Sequence, residues 1–219
     1  MILAIDTSVG TAVAVVEDDG VVLAEGASAD PLGHAEAIGG MLQQALAAAS
    51  ASPESSGEAL THVAAGMGPG PFTGLRVGIA AARAFALGRG IPVVPVASHD
   101  AVALEVLLAA ALIGSDVSRF AVVTDARRRE YAFTVYDGID DDGLPVRLTE
   151  PALIPRNELD ASLHALGAER RDAAAVSAAM VAVVASRAVA AGRVTASTAP
   201  LYLRSPDVTL PHAPKRVTA

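Results

Sequence analysis

The sequence predicts an α/β protein of two related halves, and three of its features predict it. Short apolar runs of strand length alternate with longer segments of helical periodicity, the alternation that builds layered α/β folds. The chain opens with Ile2–Ile5, then Asp6, a second apolar run over Thr11–Glu17 and an acidic turn at Asp18-Asp19-Gly20. The same order returns at Phe120–Thr124, Asp125, Glu130–Tyr136 and a turn rich in Asp and Gly. A repeated supersecondary pattern marks related halves, here 1–114 and a smaller 115–219 that includes the tail.

Ile2–Ile5 and the Val-rich Thr11–Glu17 read as strands, and Asp19-Gly20 reads as the hairpin turn into a third at Val21–Glu25. A loop with Pro31 and Gly33 leads into Ala35–Ala49, where Ile38, Leu42, Ala45 and Ala49 share one helical face. Ser50–Glu58 is polar and reads as a loop. His62–Ala65 is a strand, and Gly66–Gly70 is a glycine-rich turn. Thr73–Gly88 is helical, closed by Gly88 and Gly90 with Pro92 beyond. Pro92–Val96 is a further strand, and Ser98 is placed to cap a helix running to about Ile113. In the second half, helices are expected over Arg156–Ala165 and Asp172–Ala191, followed by an extended tail over Pro200–Pro206.

Composition narrows the function. Of 219 residues, 52% are apolar and only 18% charged, which excludes a disordered chain and leaves enough material for a sizeable core. The net charge of −8 argues against a stand-alone nucleic-acid binder. Lysine occurs once, at Lys215, and Arg127-Arg128-Arg129 is the one dense basic run. Any nucleic-acid contact is therefore expected to come through a partner. With no cysteine, disulfide and thiol chemistry are out, which suits a cytoplasmic protein. The opening Met-Ile-Leu-Ala-Ile-Asp reads as a strand and not as a signal peptide. The weakly polar runs Ala101–Gly114 and Ala173–Ser186 are shorter than the roughly 20 residues that span a bilayer and read as buried helices. No membrane association is expected.

Two motifs carry chemistry. A strand ending in Asp6-Thr7-Ser8 before a turn of small residues is the arrangement by which actin-like ATPases hold phosphate and hydrated Mg²⁺. Alone it also fits an ordinary turn capped by short polar side chains. The second motif is Gly66-Met-Gly-Pro-Gly-Pro-Phe-Thr-Gly-Leu-Arg-Val-Gly78. Glycines opening a helix can cradle an anion. This spacing matches neither the dinucleotide fingerprint nor the P-loop, and a tight strand-to-helix connection explains it more simply.

The two motifs, with Asp125-Ala-Arg and Pro200-Leu-Tyr-Leu-Arg204, occur in order along nearly the whole chain and resemble the TsaB (YeaZ) family. The resemblance implies an actin-like ATPase fold of two lobes with mixed sheets. It implies a non-catalytic subunit of the machinery that attaches threonylcarbamoyl to N6 of adenosine 37 in tRNA. It further implies a TsaD-type catalytic partner, a TsaE-type ATPase recruited to the complex, self-pairing as an alternative to the heterodimer, and no cofactor. In the catalytic relative a metal cluster of the His-x-Glu type follows the strand equivalent to Pro92–Val96. Here Ser98-His99-Asp100-Ala101-Val102 stands there, too few ligands for a catalytic metal. His99 reads instead as a polar residue at a helix start. Ala126-Arg127-Arg128-Arg129 is too bulky for backbone to wrap a phosphate, so Asp6, Thr7 and Ser8 read as a degenerate phosphate site. The stretch from Leu159 to Pro200 looks short for the family.

Other chemistry finds no support. The histidines at 34, 62, 99, 164 and 212 are scattered, and no nucleophile elbow exists. His34 with Glu36 reads as a solvated first turn, and Asp140–Gly143 as a hairpin turn. The rival reading is an active small ATPase or kinase of the same fold. The partner surface is expected on two helices. Thr73–Gly88 carries one apolar stripe of Leu75, Ile79, Ala82 and Ala86 and a second of Val77, Ala81, Phe85 and Gly88. Gly39-Gly40 sits mid-helix at about 1 kcal/mol per glycine, which is odd unless another backbone packs close. Ala37, Gly40, Met41, Arg76, Val77, Ala81 and Phe85 are the expected interface residues.

Overall fold

A computed structural model describes residues 1–30 and 33–204, so Pro31, Pro206, His212 and Lys215 lie outside the described residues. In the first half, β1 (Ile2–Asp6), β2 (Thr11–Val16) and β3 (Val22–Ser28) form an antiparallel meander, and β4 (His62–Gly66) and β5 (Val93–Val96) add on in parallel. The sheet order is β3-β2-β1-β4-β5, with Asp6 opposite Ala12 at one end of the central pair. Between the strands run α1 (His34–Ala51), α2 (Phe72–Arg89) and α3 (Ser98–Leu112). In the second half, β6 (Phe120–Asp125) and β7 (Glu130–Ile139) pair antiparallel, and β8 (Pro145–Arg147) and β9 (Ala152–Pro155) both pair with β7. After α4 (Leu159–Leu166), β10 (Glu169–Asp172) joins β6 in parallel, and α5 (Ala178–Ala190) closes the chain.

The continuous apolar runs are explained by a first sheet buried on both faces, where successive side chains point opposite ways. Leu3, Ile5, Val13, Val15, Val63 and Ala65 meet α1 and α2 on one face. Ile2, Ala4, Ala12, Ala14, Val16 and Ala64 meet the other cluster, which holds α3 and α5. That second face is rich in alanine on the strands and on α5, where Ala178, Ala182, Ala185 and Ala188 are fully buried. Small side chains let the helix lie close on the strands. Phe120, Val122 and Tyr136 of the second sheet reach the same cluster, so α3 and α5 are sandwiched between the sheets. The outer face of the second sheet is covered by Leu159 and Leu163 of α4. Thus α5 comes from the second half of the sequence but packs on the first sheet. Among the described residues no helix is long and apolar enough to cross a membrane.

Four details differ from the sequence reading. Helix α4 begins at Leu159 rather than Arg156, and α5 begins at Ala178 rather than Asp172. Glu169–Asp172 is instead an edge strand with no apolar alternation to announce it. Its charges pair locally, Arg170 with Asp172 and Arg171 with Glu169, which blunts the open edge. Strands β8 and β9 are too short for a periodic signal. Ser98 does not cap α3: Ala97 precedes the helix, and the Ser98 side chain is turned into the interior.

Two classes of glycine differ in kind. Gly66 and Gly78 lie where a Cβ would overlap Asp6 and Thr7 respectively, so backbone meets the turn after β1 with no room for a side chain. Gly39 and Gly40 are exposed on α1, and a Cβ there meets nothing within 4 Å. The same substitution should therefore have opposite signs. Gly78→Ala is expected to destabilise by about 2–3 kcal/mol, as overpacking does. Gly39→Ala and Gly40→Ala should each stabilise by about 1 kcal/mol. Urea unfolding midpoints check this, and a destabilising Gly39→Ala would show that α1 is held by something within the chain.

Candidate functional site

The turn after β1 is folded inward. Asp6, Thr7 and Ser8 are each buried. Asp6 Oδ1 accepts from the Ser8 backbone N–H at 2.8 Å and from its hydroxyl at 2.5 Å, and Oδ2 accepts from the Ser98 hydroxyl at 2.5 Å. The Ser98 oxygen in turn accepts from the Gly68 N–H at 3.1 Å, and the Thr7 hydroxyl donates to the Gly74 carbonyl at 2.8 Å. The residues read as a degenerate phosphate site thus tie β1, the glycine-rich loop, α2 and α3 together. Burial raises the Asp6 carboxyl above the usual carboxylate range, and the bonds from Ser8 and Ser98 oppose it.

Ser98 is the first of three consecutive buried polar residues in α3. His99 is fully enclosed, with Nδ1 at 2.9 Å from the Thr134 hydroxyl and Nε2 at 3.0 Å from that of Thr124. A neutral ring donates through one nitrogen and accepts through the other, so the two hydroxyls satisfy it completely. Burial, with the nearby Arg147 charge, lowers its pKa to about 3. Asp100 accepts from Arg147 Nε at 2.6 Å, pairs a second time through Arg147 Nη2, and accepts from the Tyr136 hydroxyl at 2.8 Å. Burial raises its carboxyl, and Arg147 opposes the shift. One helical turn therefore bonds to β1, β6, β7 and β8 at once. The His99 expectation is refined: it sits at the helix start, but sealed in the core. His34, expected to be solvated, is also corrected. It is buried, with Nδ1 at 2.8 Å from the Thr11 hydroxyl.

Beside this knot lies an open cleft of about 530 Å³ between the turn after β1 and the turn after β6. Ser8 and Gly70 line one wall, and Asp125, Arg127 and Arg128 the other. Asp125 accepts from the Arg127 backbone N–H at 2.8 Å and from Arg156 at 2.7 Å, and these bonds hold its carboxyl below the ordinary value. Arg127, Arg128 and Arg129 have φ of 62°, 50° and 63°. Left-handed backbone at three successive non-glycine residues costs about 1 kcal/mol each. Among the described residues no group of three or more His, Cys, Asp or Glu could hold a metal.

The expected interface residues lie on the outer faces of α1 and α2. Gly40 and Arg76 are exposed, and Ala37, Met41, Val77, Ala81 and Phe85 are half-buried. The exposed apolar positions of α2 are Ala80, Ala84 and Leu87, the last at 85%. Sequence reasoning did not name them because both stripes it found are partly covered by the chain itself. It also missed Thr124, Thr134, Tyr136 and Arg147, partners of α3 that are distant in sequence. Two threonines inside apolar strands were the available signal.

Breaking a buried pair leaves an uncompensated charge, so Arg147→Leu is expected to lose about 3–5 kcal/mol at pH 7. Without Arg147 the Asp100 carboxyl rises further, and the folded variant takes up a proton that the unfolded chain has released. Its deficit relative to wild type should shrink as pH falls from 7 to 5. Urea denaturation at both pH values measures this, and a deficit unchanged by pH would mean that Asp100 is not left buried and charged.

Comparison with known proteins follows the same lines. The family model described as "TsaD: tRNA N6-adenosine threonylcarbamoyltransferase" matches residues 23–146. An uncharacterized protein of Mycobacterium tuberculosis is 37% identical, with 94% of this chain and 92% of that protein covered. The tRNA threonylcarbamoyladenosine biosynthesis protein TsaB of Escherichia coli is 32% identical over 65% of this chain and 57% of its own length. The crystal structure of YeaZ from Pseudomonas aeruginosa superposes with a TM-score of 0.69 at 23% identity, covering 92% of this chain and 99% of that one. That likeness gives the actin-like fold of two mixed sheets with helices between and around them. By its match to the threonylcarbamoyltransferase family model and to TsaB itself, the chain belongs to the TsaB/YeaZ family.

Proposed function

We propose that the protein is a non-catalytic subunit in the synthesis of N6-threonylcarbamoyladenosine at position 37 of tRNA, acting in the cytoplasm. It pairs with a TsaD-type catalytic subunit, and the pair recruits a TsaE-type ATPase. A homodimer through the same surface is the alternative resting form. The observation that carries this reading is that the polar side chains around the turn after β1 and the start of α3 are already bonded inside the fold. Asp6, Ser98, His99 and Asp100 each have internal partners and are buried. Burial and these bonds keep such groups away from a substrate that approaches through the cleft. Contact with tRNA comes through the complex, because few basic side chains are free to release counterions from a protein of net charge −8.

The docking surface in this reading is the exposed side of α1 and α2. Gly39 and Gly40 cost α1 stability and face open space, which is explained if the backbone of a partner helix packs there. Ala80, Ala84 and Leu87 continue an apolar stripe beside them. Two like helices packing on these two would give a bundle of isologous form.

Two experiments test the proposal. The purified protein should show no ATP turnover above background. Turnover near one per second, lost in Asp6→Ala, would favour the rival reading of an active small ATPase. Co-expression with a TsaD-type subunit should give a heterodimer on size-exclusion chromatography. Gly40→Glu and Ala84→Glu should fold and lose that pairing, while Gly40→Ala should be more stable alone and pair more weakly. Undiminished pairing by both Glu variants would put the interface elsewhere.

A further inference from the structure

Residues 193–204 follow α5 without regular structure and are fastened alternately to the two halves of the molecule. Arg193 reaches Asp140 at 2.5 Å and Asp142 at 2.8 Å in the β7–β8 turn. The Thr195 carbonyl accepts from Arg147 at 3.0 Å. The segment then crosses to α2, where the Thr198 carbonyl accepts from Arg83 at 2.5 Å. The Leu201 N–H donates to the Met67 carbonyl at 2.7 Å, beside the glycine-rich loop. The Tyr202 ring lies 4.4 Å from that of Phe72, its hydroxyl accepts from Arg76 Nε at 3.1 Å, and the Arg76 guanidinium sits 3.7 Å over Phe72. Finally Arg204 returns to the second half and pairs with Glu130, the first residue of β7. Tyr202 and Arg204 thereby form part of the cleft wall.

We infer that residues 193–204 are a strap that couples the separation of the two halves at the cleft to the outer face of α2. Glu130 cannot move away from Met67 without breaking either the Arg204 pair or the Tyr202–Arg76–Phe72 cluster. Arg76 and Arg83, which hold the middle of the strap, are exposed residues of α2. A partner that orders this face favours the fastened strap and so holds the cleft at the width seen here. By linkage, a fastened strap favours the partner to the same degree. The coupling to a partner rests on the proposed function, and the coupling between α2 and the cleft does not.

Hydrogen exchange on the full chain separates the two. In Glu130→Ala, amide exchange should rise at 198–202, where the strap lies against α2, and in Arg76→Ala exchange should rise at 127–131, although Arg76 lies on the other half. Charge reversal by Glu130→Arg with Arg204→Glu should restore wild-type exchange. With the TsaD-type subunit added, Glu130→Ala should weaken affinity by about fivefold or more, within the usual span of such couplings. Unchanged exchange in both single variants overturns the strap, and raised exchange with unchanged affinity overturns its coupling to the partner. If the wild type binds no TsaD-type subunit, the proposed function fails, and the two exchange measurements alone decide the strap.

Discussion

The rest of the structure depends on a single turn of helix in which three successive polar side chains have been taken out of water. A buried polar group without a partner costs about 1–3 kcal/mol, and a buried charge more. Ser98, His99 and Asp100 point to three different places, so satisfying them fixes three relationships at once. Ser98 holds the end of the first sheet through Asp6. His99 holds the two central strands of the second sheet through their threonines. Asp100 holds Tyr136 and Arg147. The apolar packing of α3 and α5 between the sheets is non-directional and would tolerate sliding, whereas these bonds have one geometry each.

The same turn also closes off the polar residues that stand behind the cleft. Asp6 and Asp125 end the first strands of the two sequence repeats, on opposite sides of the cleft. Asp6 is buried and held by Ser8 and Ser98, whereas Asp125 faces the cleft with Oδ1 held by Arg156 and the Arg127 N–H. The glycine-rich stretch has a parallel fate. At Gly66 and Gly78 the missing side chains make room for Asp6 and Thr7 of the same chain, and no anion is needed to account for them.

The sequence was most legible where physics is local. Strands buried on both faces announce themselves as unbroken apolar runs, and β1, β2, β4 and β6 were readable for that reason. The repeat of strand, aspartate, turn and strand marks β1–β2 and β6–β7, which lie in separate sheets. What could not be read was long-range or unpatterned. Glu169–Asp172 looks like loop because an edge strand carries its charge outward. Ser98 looks like a cap because its true partner, Asp6, lies in another part of the sequence. His34 looked solvated from its place in a first turn, and only the approach of β2 buries it against Thr11. The helices proposed as the docking surface stand out by glycine and alanine content, but which face is open depends on how each helix is rotated on its sheet.

A fully enclosed, neutral His99 is the feature that most sharply distinguishes a structural knot from a disused or working reaction centre. Its ring nitrogens report this directly by long-range ¹H–¹⁵N NMR as the folded protein is taken from pH 7 to pH 4. The account predicts a single neutral tautomer whose shifts stay constant over that range, since its pKa lies near 3. Titration with a midpoint near the ordinary value of about 6.5 would show a solvent-accessible imidazole and contradict it.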